Sequence, residues 1–441
     1  MADATNPQTT NADAKGALDG IRVLACTQIV AGPFAGVVLS DFGAEVVKLE
    51  PVEGEGYRNS GAVVPKEGKR FQSLNRGQKS LAIDLGTAEG RAAVHRIIPT
   101  FDVIVINYRP GVPERIGLGY EELSALHPGL IYCSITGFGE TGPWAHRGAT
   151  DLVASAYSGL VAGDDKLTEE GEPTQLTPAV SDYVTGLACA ASINAALYHR
   201  QKTGLGQRID AALMRSALAI QDFYVMRQPV TDAVLRDPMV AKVNAARANG
   251  ATYEEVLRIR REYRWAGAGP PRLYYTGYNC ADGQIVLGCL TKATRAGARR
   301  VLGMEHDQTD DDGFDPWDPE NVAKVKEWKR QVQATLRAKP VAHWLDAFGA
   351  EGVPIAPVQI PEELADDEHV KALGVMVDFE HPVTGPQRVV GPMTKMSLTP
   401  TRASRPSPAL GEHTVEVLRA GGYSDEEIAA LHASGVVLQR D

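Results

Sequence analysis

Short apolar runs alternate with segments of helical character through the first half of the chain, and this alternation restricts the fold more than any other feature. Such alternation is typical of a parallel sheet with helices on both faces. The pattern predicts strands at 21–27, 45–50, 80–85, 102–107 and 130–136, and helices near 33–42, 87–98, 120–126 and 150–160. We therefore predict an α/β fold, with a Rossmann-like parallel sheet in a large domain.

Changes in composition along the 441 residues divide the chain into five predicted regions. They are a disordered tail at 1–17, a large domain at 18–215, a helical linker or insertion at 216–271, a smaller α+β domain at 272–350, and a return segment to the large domain at 351–441. The smaller domain is expected to begin with a hairpin, because Asp282-Gly283 separates two strand-like runs. The return segment is expected to end in a capped helix.

Bulk properties exclude several classes of protein. A formal net charge of −10 argues against a general nucleic-acid binder, which needs a basic surface for phosphate. No uncharged apolar stretch reaches the roughly 18 residues of a membrane span, so no membrane association is predicted. The histidines and cysteines lack zinc-site spacing, so no metal is predicted. Five scattered cysteines predict buried free thiols and, with no signal-peptide pattern, a cytoplasmic location.

One glycine pattern imitates a dinucleotide-binding motif. Gly137, Gly139 and Gly142 spell G-x-G-x-x-G directly after a predicted strand. Pro143 and Trp144 follow at once, and no helical pattern opens there. In dinucleotide-binding proteins the motif follows the first strand and begins a helix. The pattern therefore predicts a tight turn and not a nicotinamide site.

Residues 101–144 place cations between two predicted strand ends. The first apolar run ends at Asn107, and Arg109 and Arg115 follow before the second run reaches SITGFGETGP at 134–143. Guanidinium groups at strand ends favour anion binding. The order Asn-aromatic-Arg-Pro-Gly, then Arg-apolar-Gly, then Ser-Ile-Thr-Gly-Phe-Gly-x-Thr-Gly-Pro resembles the signature of the family III CoA-transferases.

The resemblance implies that coenzyme A or an acyl-CoA binds as a substrate, with no permanently bound cofactor. Arg115 is expected near the start of a short helix, where its guanidinium and backbone N–H groups would face phosphate. The alternative for Arg115 is a surface ion pair with Glu114 or Glu121. The other positions that the resemblance assigns to the CoA site are Asn107, Tyr108 and Arg109, the backbone of Val30 and Ala31, and Ile83 and Asp84 beside the adenine.

Asp182 is the candidate nucleophile. It lies near the start of an apolar pattern at helical spacing, Val180 to Gln201, which predicts a long and well-buried helix. A carboxylate at a helix N-terminus is expected to be held ionised by the helix dipole and free N–H groups. The structural alternative is a helix cap, since Ser181 and Asp182 are both good N-cap residues. The resemblance implies that Asp182 is the catalytic aspartate of the family.

The implied reaction is a ping-pong transfer of CoA from an acyl-CoA to a carboxylic acid. Asp182 attacks the thioester to form an aspartyl anhydride, and the released CoA thiolate then forms an aspartyl-CoA thioester. Asp151 matches an acidic residue close to the active site of family members. It is expected to orient the acyl group or the nucleophile, or else to cap helix 152–160.

Two other activities stay open. In the related 2-methylacyl-CoA racemases a histidine precedes the residue matching Asp151; Thr150 stands here and cannot act as a base near neutral pH, which disfavours racemisation. A CoA-binding subunit that is inactive without a second chain is the other alternative. The family resemblance also implies an interlocked homodimer, with an acyl-CoA and a carboxylic acid as its small-molecule partners.

Overall fold

The computed structural model describes residues 14–174, 178–263, 272–316 and 318–440. Most of the predicted tail, 1–17, lies outside the described residues. The chain divides into two compact units, one formed by 1–225 with 368–441 and the other by 226–367. The return segment thus begins at 368, whereas the sequence analysis set it at 351. The difference arises because the segment after 351 adds a strand to the smaller unit's sheet.

Strands alternate with helices over the first part of the chain, as predicted. The strands are β1 Arg22–Cys26, β2 Glu45–Glu50, β3 Gln78–Ile83, β4 Val103–Ile106, β5 Ile131–Thr136, β6 Arg208–Ala212, β7 Tyr275–Asn279, β8 Gln284–Gly288, β9 Ile355–Pro357, β10 Met376–His381, β11 Gly385–Val390 and β12 Val437–Leu438. All five predicted strands are present, and β3 begins two residues earlier than expected.

The larger unit contains a seven-stranded sheet in the order β12-β3-β2-β1-β4-β5-β6. Its strands are parallel except for β12, which runs antiparallel to β3. Strand β4, next to the central strand β1, is buried along its whole length, as expected of a strand covered on both faces and rich in β-branched residues. The chain order reverses between β1 and β4, which are neighbours in the sheet. Residues after β1 and β4 therefore emerge side by side.

Helices cover both faces of this sheet. Those of the larger unit are α1 Ala31–Asp41, α2 Gly56–Asn59, α3 Lys69–Leu74, α4 Ala88–Ile97, α5 Val112–Arg115, α6 Tyr120–Leu126, α7 Asp151–Ser158, α8 Leu160–Asp164, α9 Val180–Thr203, α10 Leu213–Ala219 and α11 Asp222–Val225. Its C-terminal segment adds three helices and a hairpin of β10 with β11 after the smaller unit. One core cluster includes residues of α4, and the other includes residues of α1 and α9.

The helix α9 differs from its prediction. It packs one face on α1 and the sheet, where Cys189 and Ile193 are buried. Leu187 and Tyr198 on the other face are 41% and 61% exposed. The predicted long helix is confirmed, whereas the predicted burial holds for one face only in the single chain.

The smaller unit has its own core. Its helices are α12 Pro229–Val234, α13 Arg236–Ala248, α14 Tyr253–Glu262, α15 Lys292–Leu302, α16 Pro319–Arg337 and α17 Val341–Ala350. Helices α15 to α17 enclose buried residues with the antiparallel sheet β7-β8-β9. Strands β7 and β8 form the hairpin predicted from Asp282-Gly283.

Three helices of the larger unit follow: α18 Glu368–Leu373, α19 Thr414–Ala420 and α20 Asp425–Ala433. Ser424 and Glu427 form a capping box at the start of α20, which confirms the predicted capped helix. Two 3₁₀ turns, Ile98–Thr100 and Pro361–Glu363, complete the helical elements of the described chain. None of its helices combines the length and the apolar character that crossing a bilayer requires.

Candidate functional site

A cavity of about 270 Å³ opens at the carboxyl ends of β1, β4 and β5. This is the point where the strand order reverses, and open parallel sheets bind their ligands in the crevice at such a point. Loops from neighbouring strands line it: the residues after β1 at 27–30, called here the β1 loop, and the residues after β4 at 107–110. We call it the switch-point cavity.

The switch-point cavity brings together most of the residues singled out from the sequence. Its lining includes Val30, Ala31, Asn107, Tyr108, Arg109, Asp151 and Asp182. These residues come from four separate stretches of chain. Their convergence was not visible in the sequence without the family resemblance.

Asp182 is the third residue of α9 and is 7% exposed. Ala179 occupies the N-cap position, and no side chain caps this end in the usual way. The alternative in which Ser181 or Asp182 is the N-cap residue is therefore wrong, since both lie inside the first turn. Within the described part of the chain, no group donates a hydrogen bond to the Asp182 carboxylate. The Asp182 side chain instead lines the switch-point cavity.

The environment of Asp182 favours its protonated form. Burial, and after it the negative charge of Asp151, raises the pKa of Asp182 from 3.8 to about 7. Burial therefore opposes the predicted stabilisation of the ionised form at the helix start, although ionised Asp182 is still present near neutral pH. Desolvation is the largest cause of the raised pKa of Asp182, and the backbone N–H group of Asp182 donates to the Asp151 carboxylate. Protonated and ionised forms coexist near neutral pH, and the ionised form is unusually basic.

Asp151 binds the start of α9 and not the start of its own helix. It is the first residue of α7, which has Thr150 at its N-cap position. Asp151 Oδ1 accepts hydrogen bonds from the Asp182 backbone N–H at 3.1 Å and from the Ser181 hydroxyl. Among the roles predicted for Asp151, this geometry matches orientation of the candidate nucleophile Asp182. It does not match capping of helix 152–160.

Asn107 joins the two loops that line the cavity. Its Nδ2 donates to the Gln28 carbonyl at 2.7 Å, and its Oδ1 accepts from the Gln28 N–H at 2.9 Å. Both polar ends of the amide are thereby engaged with backbone. Asn107 thus fixes the shape of the site, and its side chain has less capacity left for a ligand.

Two guanidinium groups, those of Arg109 and Arg147, face the cavity. Arg109 crosses the backbone of Gly148, where a Cβ atom would lie 2.8 Å from Arg109 Cζ. Arg147 stacks on Trp144, with Cζ 4.2 Å from the ring centroid. Neither side chain has a hydrogen-bonding or ion-pairing partner among the described residues. Arg147 was missed from the sequence, because a single arginine in an irregular turn has no pattern of its own.

Three predicted ligand residues lie outside the switch-point cavity. Arg115 is exposed and is the last residue of the four-residue helix α5, not near its start as predicted, because that helix already begins at Val112. Ile83 is 1% exposed and packs in the core. Asp84 is half-buried, and its carboxylate accepts from the Gly86 N–H at 2.8 Å.

The arrangement suits nucleophilic chemistry on an anionic substrate. A basic carboxylate at a cavity wall can attack an activated carbonyl, and nearby free cations can hold negative charge. In the described ranges no group of three or more His, Cys, Asp or Glu residues is placed to bind a metal ion.

Comparison with known proteins gives a consistent result. The sequence model of CoA-transferase family III matches residues 18–414. The chain is 31% identical to succinyl-CoA:glutarate CoA-transferase from Mus musculus, over 99% of this chain and 94% of the relative. It is 33% identical to succinate–glutarate CoA-transferase from Agrobacterium fabrum, over 91% and 94% of the two chains. A CaiB/BaiF family crystal structure from Brucella suis superposes with a TM-score of 0.71 at 26% identity, covering 92% of this chain and all of the other.

Proposed function

The chain belongs to CoA-transferase family III, and from that membership we propose that it transfers CoA to a carboxylic acid through a covalent intermediate on Asp182. The Asp182 carboxylate attacks the thioester carbonyl, the C–S bond breaks, and CoA leaves as the thiolate. The thiolate attacks the Asp182 carbonyl of the anhydride, which releases the donor acid and leaves an aspartyl-CoA thioester. The acceptor carboxylate then repeats the two steps in reverse.

The state of Asp182 is the observation that carries this proposal. Its carboxylate faces a cavity, has no hydrogen-bond donor within the described ranges, and has a pKa raised to about 7. A carboxylate that only capped a helix would be engaged with backbone N–H groups and would be less basic. Burial also limits the access of water, which would otherwise hydrolyse the anhydride.

CoA is proposed to approach along the loops that follow β1 and β4. A cavity of about 270 Å³ lies just below the roughly 300–1,000 Å³ of typical small-molecule sites, so it fits the acyl end and not the whole cofactor. The nucleotide must lie outside it. Arg115, Ile83 and Asp84 are outside as well, and we retain them as proposed contacts of the nucleotide.

Mass spectrometry of the intact protein tests the covalent route. After incubation with a donor acyl-CoA, we expect an added mass equal to a CoA thioester on the peptide that contains Asp182, and none in Asp182→Ala. An inactive subunit would bind CoA without forming the adduct. A racemase would incorporate deuterium at the α-carbon without exchanging CoA. Either result would contradict the proposal.

We further propose that the substrates are short dicarboxylic acids. The two relatives described above are named for succinate and glutarate, which both carry a second carboxylate. The free guanidinium of Arg147 at the cavity supports the same class, because a charge-assisted bond could hold that second carboxylate. Thr150 also lines the cavity and supplies no base, which gives no support to racemisation.

Replacing Arg147 by glutamine tests this assignment. We expect kcat/KM for glutarate to fall about 10- to 100-fold, the value of one charged hydrogen bond, and kcat/KM for butyrate to change less than about 3-fold. Arg115→Gln is the matched control, since it removes an exposed arginine outside the cavity. It should raise KM for the acyl-CoA and leave KM for the acid unchanged. Equal losses for butyrate and glutarate would refute the role of Arg147.

We also propose that the protein is a cytoplasmic homodimer. The five cysteines are free and buried, which fits a reducing compartment. The exposed apolar face of α9, with Leu187 and Tyr198, supports a contact with a second copy of the chain. An interlocked arrangement is proposed from the family alone.

A further inference from the structure

The β1 loop holds an unfavourable backbone conformation. Ile29 has φ of +70°, and it is the only β-branched residue among the described non-glycine residues with positive φ. A branched Cβ makes this left-handed region costly, and such strain persists only where the surroundings impose it. Ile29 lines the switch-point cavity, so the strained turn is part of the site.

Two contacts hold the backbone just before Ile29, one from the side of each neighbouring strand of β1. On one side is the Asn107 amide, which holds Gln28. On the other is Lys48, whose ammonium donates to the Thr27 carbonyl at 2.7 Å. Lys48 lies on β2, opposite Ala25 of β1, so the neighbouring strand supplies the contact. The strained residue sits two positions beyond the carbonyl that Lys48 holds.

The β1 loop also contacts the helix that carries the nucleophile. A Cβ atom on Gly186 of α9 would lie 2.8 Å from the Ala31 carbonyl oxygen. The first turns of α9 therefore rest directly on the residue that follows the loop. A change in the loop's shape would alter both the wall of the cavity and the support beneath Asp182.

Lys48 itself has no route to a substrate. Its side chain is 0% exposed and it does not line the cavity. Its nearest carboxylate is Glu55, with Lys48 Nζ 3.7 Å from Oε1. The neighbouring Glu50 is occupied by Arg58 and by the Ser80 hydroxyl. A buried ammonium is expensive, and an apolar side chain would fill the same space at lower cost. The hydrogen bond from Lys48 to the β1 loop is a reason for a lysine at this position.

We propose that Lys48 is a positioning residue for CoA transfer, which holds the Thr27 carbonyl and thereby keeps the strained turn at Ile29 in the shape that forms the cavity beside Asp182. This inference rests on the proposed function. Without the contact, the chain at Ile29 relaxes to negative φ. The cavity is then correctly formed in only a minority of molecules, and kcat/KM falls by that fraction.

A double variant removes the contact without leaving an isolated buried charge. Lys48→Met combined with Glu55→Gln removes both charges together, which is far milder than removing one. We expect kcat/KM for CoA exchange to fall about 10-fold, as expected when a strained turn is free to relax. The assay is run at a temperature where melting curves show every variant to be folded.

Ile29→Gly separates positioning from general stability. Glycine adopts positive and negative φ about equally. With glycine at position 29, the shape of the loop therefore depends less on the hydrogen bond from Lys48 to the Thr27 carbonyl. In the Ile29→Gly background the Lys48/Glu55 change should reduce kcat/KM only about 2-fold. Ser80→Ala is the control: it removes a bond of 2.7 Å to Glu50 in the same buried network without touching the loop. It should lower Tm and leave kcat/KM unchanged.

Three outcomes would overturn the inference. They are a kcat/KM within 2-fold of the unmodified protein in the Lys48/Glu55 variant, an equal loss in both backgrounds, and an equal loss in Ser80→Ala. These results differ from a failure of the proposed function, in which the unmodified protein itself exchanges no CoA.

Discussion

Asp182→Asn is expected to abolish CoA exchange and, at the same time, to make the protein more stable above pH 7. The amide has nearly the shape of the carboxyl group but cannot attack a thioester, so we expect exchange to fall at least about 10³-fold. CoA binding should persist, because the residues proposed to contact CoA are unchanged. Near-normal exchange in this variant would disprove the mechanism.

The gain in stability follows from the sign of the pKa shift. Asp182 has a pKa of about 7 in the folded protein and an ordinary value of 3.8. Between these values the folded state binds more protons than the unfolded state, so the unmodified protein loses stability as pH rises from 4 to 7. Asparagine does not titrate and avoids this loss. The difference should be on the order of 2–4 kcal/mol at pH 8 and vanish below pH 4.

Thermal unfolding between pH 4 and pH 8 measures this effect. The melting curves of Asp182→Asn and of the unmodified protein should coincide at pH 4 and separate steadily as pH increases. A constant difference across the range would mean that burial does not control the ionisation of Asp182. Such a trade between stability and activity is common where a site needs a destabilised charge.

Asp151 is expected to show two separable effects. In the unmodified protein, kcat/KM should rise with pH through about 7, as Asp182 loses its proton. Asp151→Asn removes the negative charge but keeps an oxygen that can accept from the Asp182 N–H. The pKa of Asp182 then falls, and the midpoint of the profile should move to lower pH. Activity at pH 8 should stay within about 10-fold.

Asp151→Ala removes the acceptor as well. It leaves the Ser181 hydroxyl and the Asp182 N–H without their partner, which we expect to reduce stability by about 1–2 kcal/mol. The first turn of α9 loses its anchor, so kcat should fall about 10- to 100-fold. Ser155→Ala is the control, because its hydroxyl makes only a long bond of 3.5 Å to the other Asp151 oxygen. If the pH profile of Asp151→Asn were unshifted, the negative charge of Asp151 would not be a cause of the raised pKa of Asp182.

Local sequence patterns were sufficient to predict most strands of the larger unit. Apolar runs located the five parallel strands, because a strand buried on both faces is apolar along its length. Strand β6 was missed, since its residues alternate between exposed and half-buried and it reads as a loop. Strand β12 is only two residues long and forms because β3 offers an edge.

The sequence predicted several residues that lie together at the switch-point cavity, but not the energetics of their interactions. A family signature led to Asp182 and Asp151, but no local pattern shows that a carboxylate 31 residues away accepts from the Asp182 N–H. The raised pKa of Asp182 depends on burial by distant elements, so it could not be predicted from the sequence. The position of Arg147 beside the cavity depends on how its loop folds, so it could not be predicted from the sequence.

The pairing of β12 with β3 has a consequence for biosynthesis. Val437 and Leu438 pair with Ile83 and Ala82 across the two strands, and α19 and α20 contribute Leu418 and Ile428 to the same core as β3. The ribosome makes these residues long after it has made β3. The nascent chain therefore carries an unclosed apolar sheet face while more than 300 residues are still being made, a state that attracts chaperones and exposes the chain to aggregation.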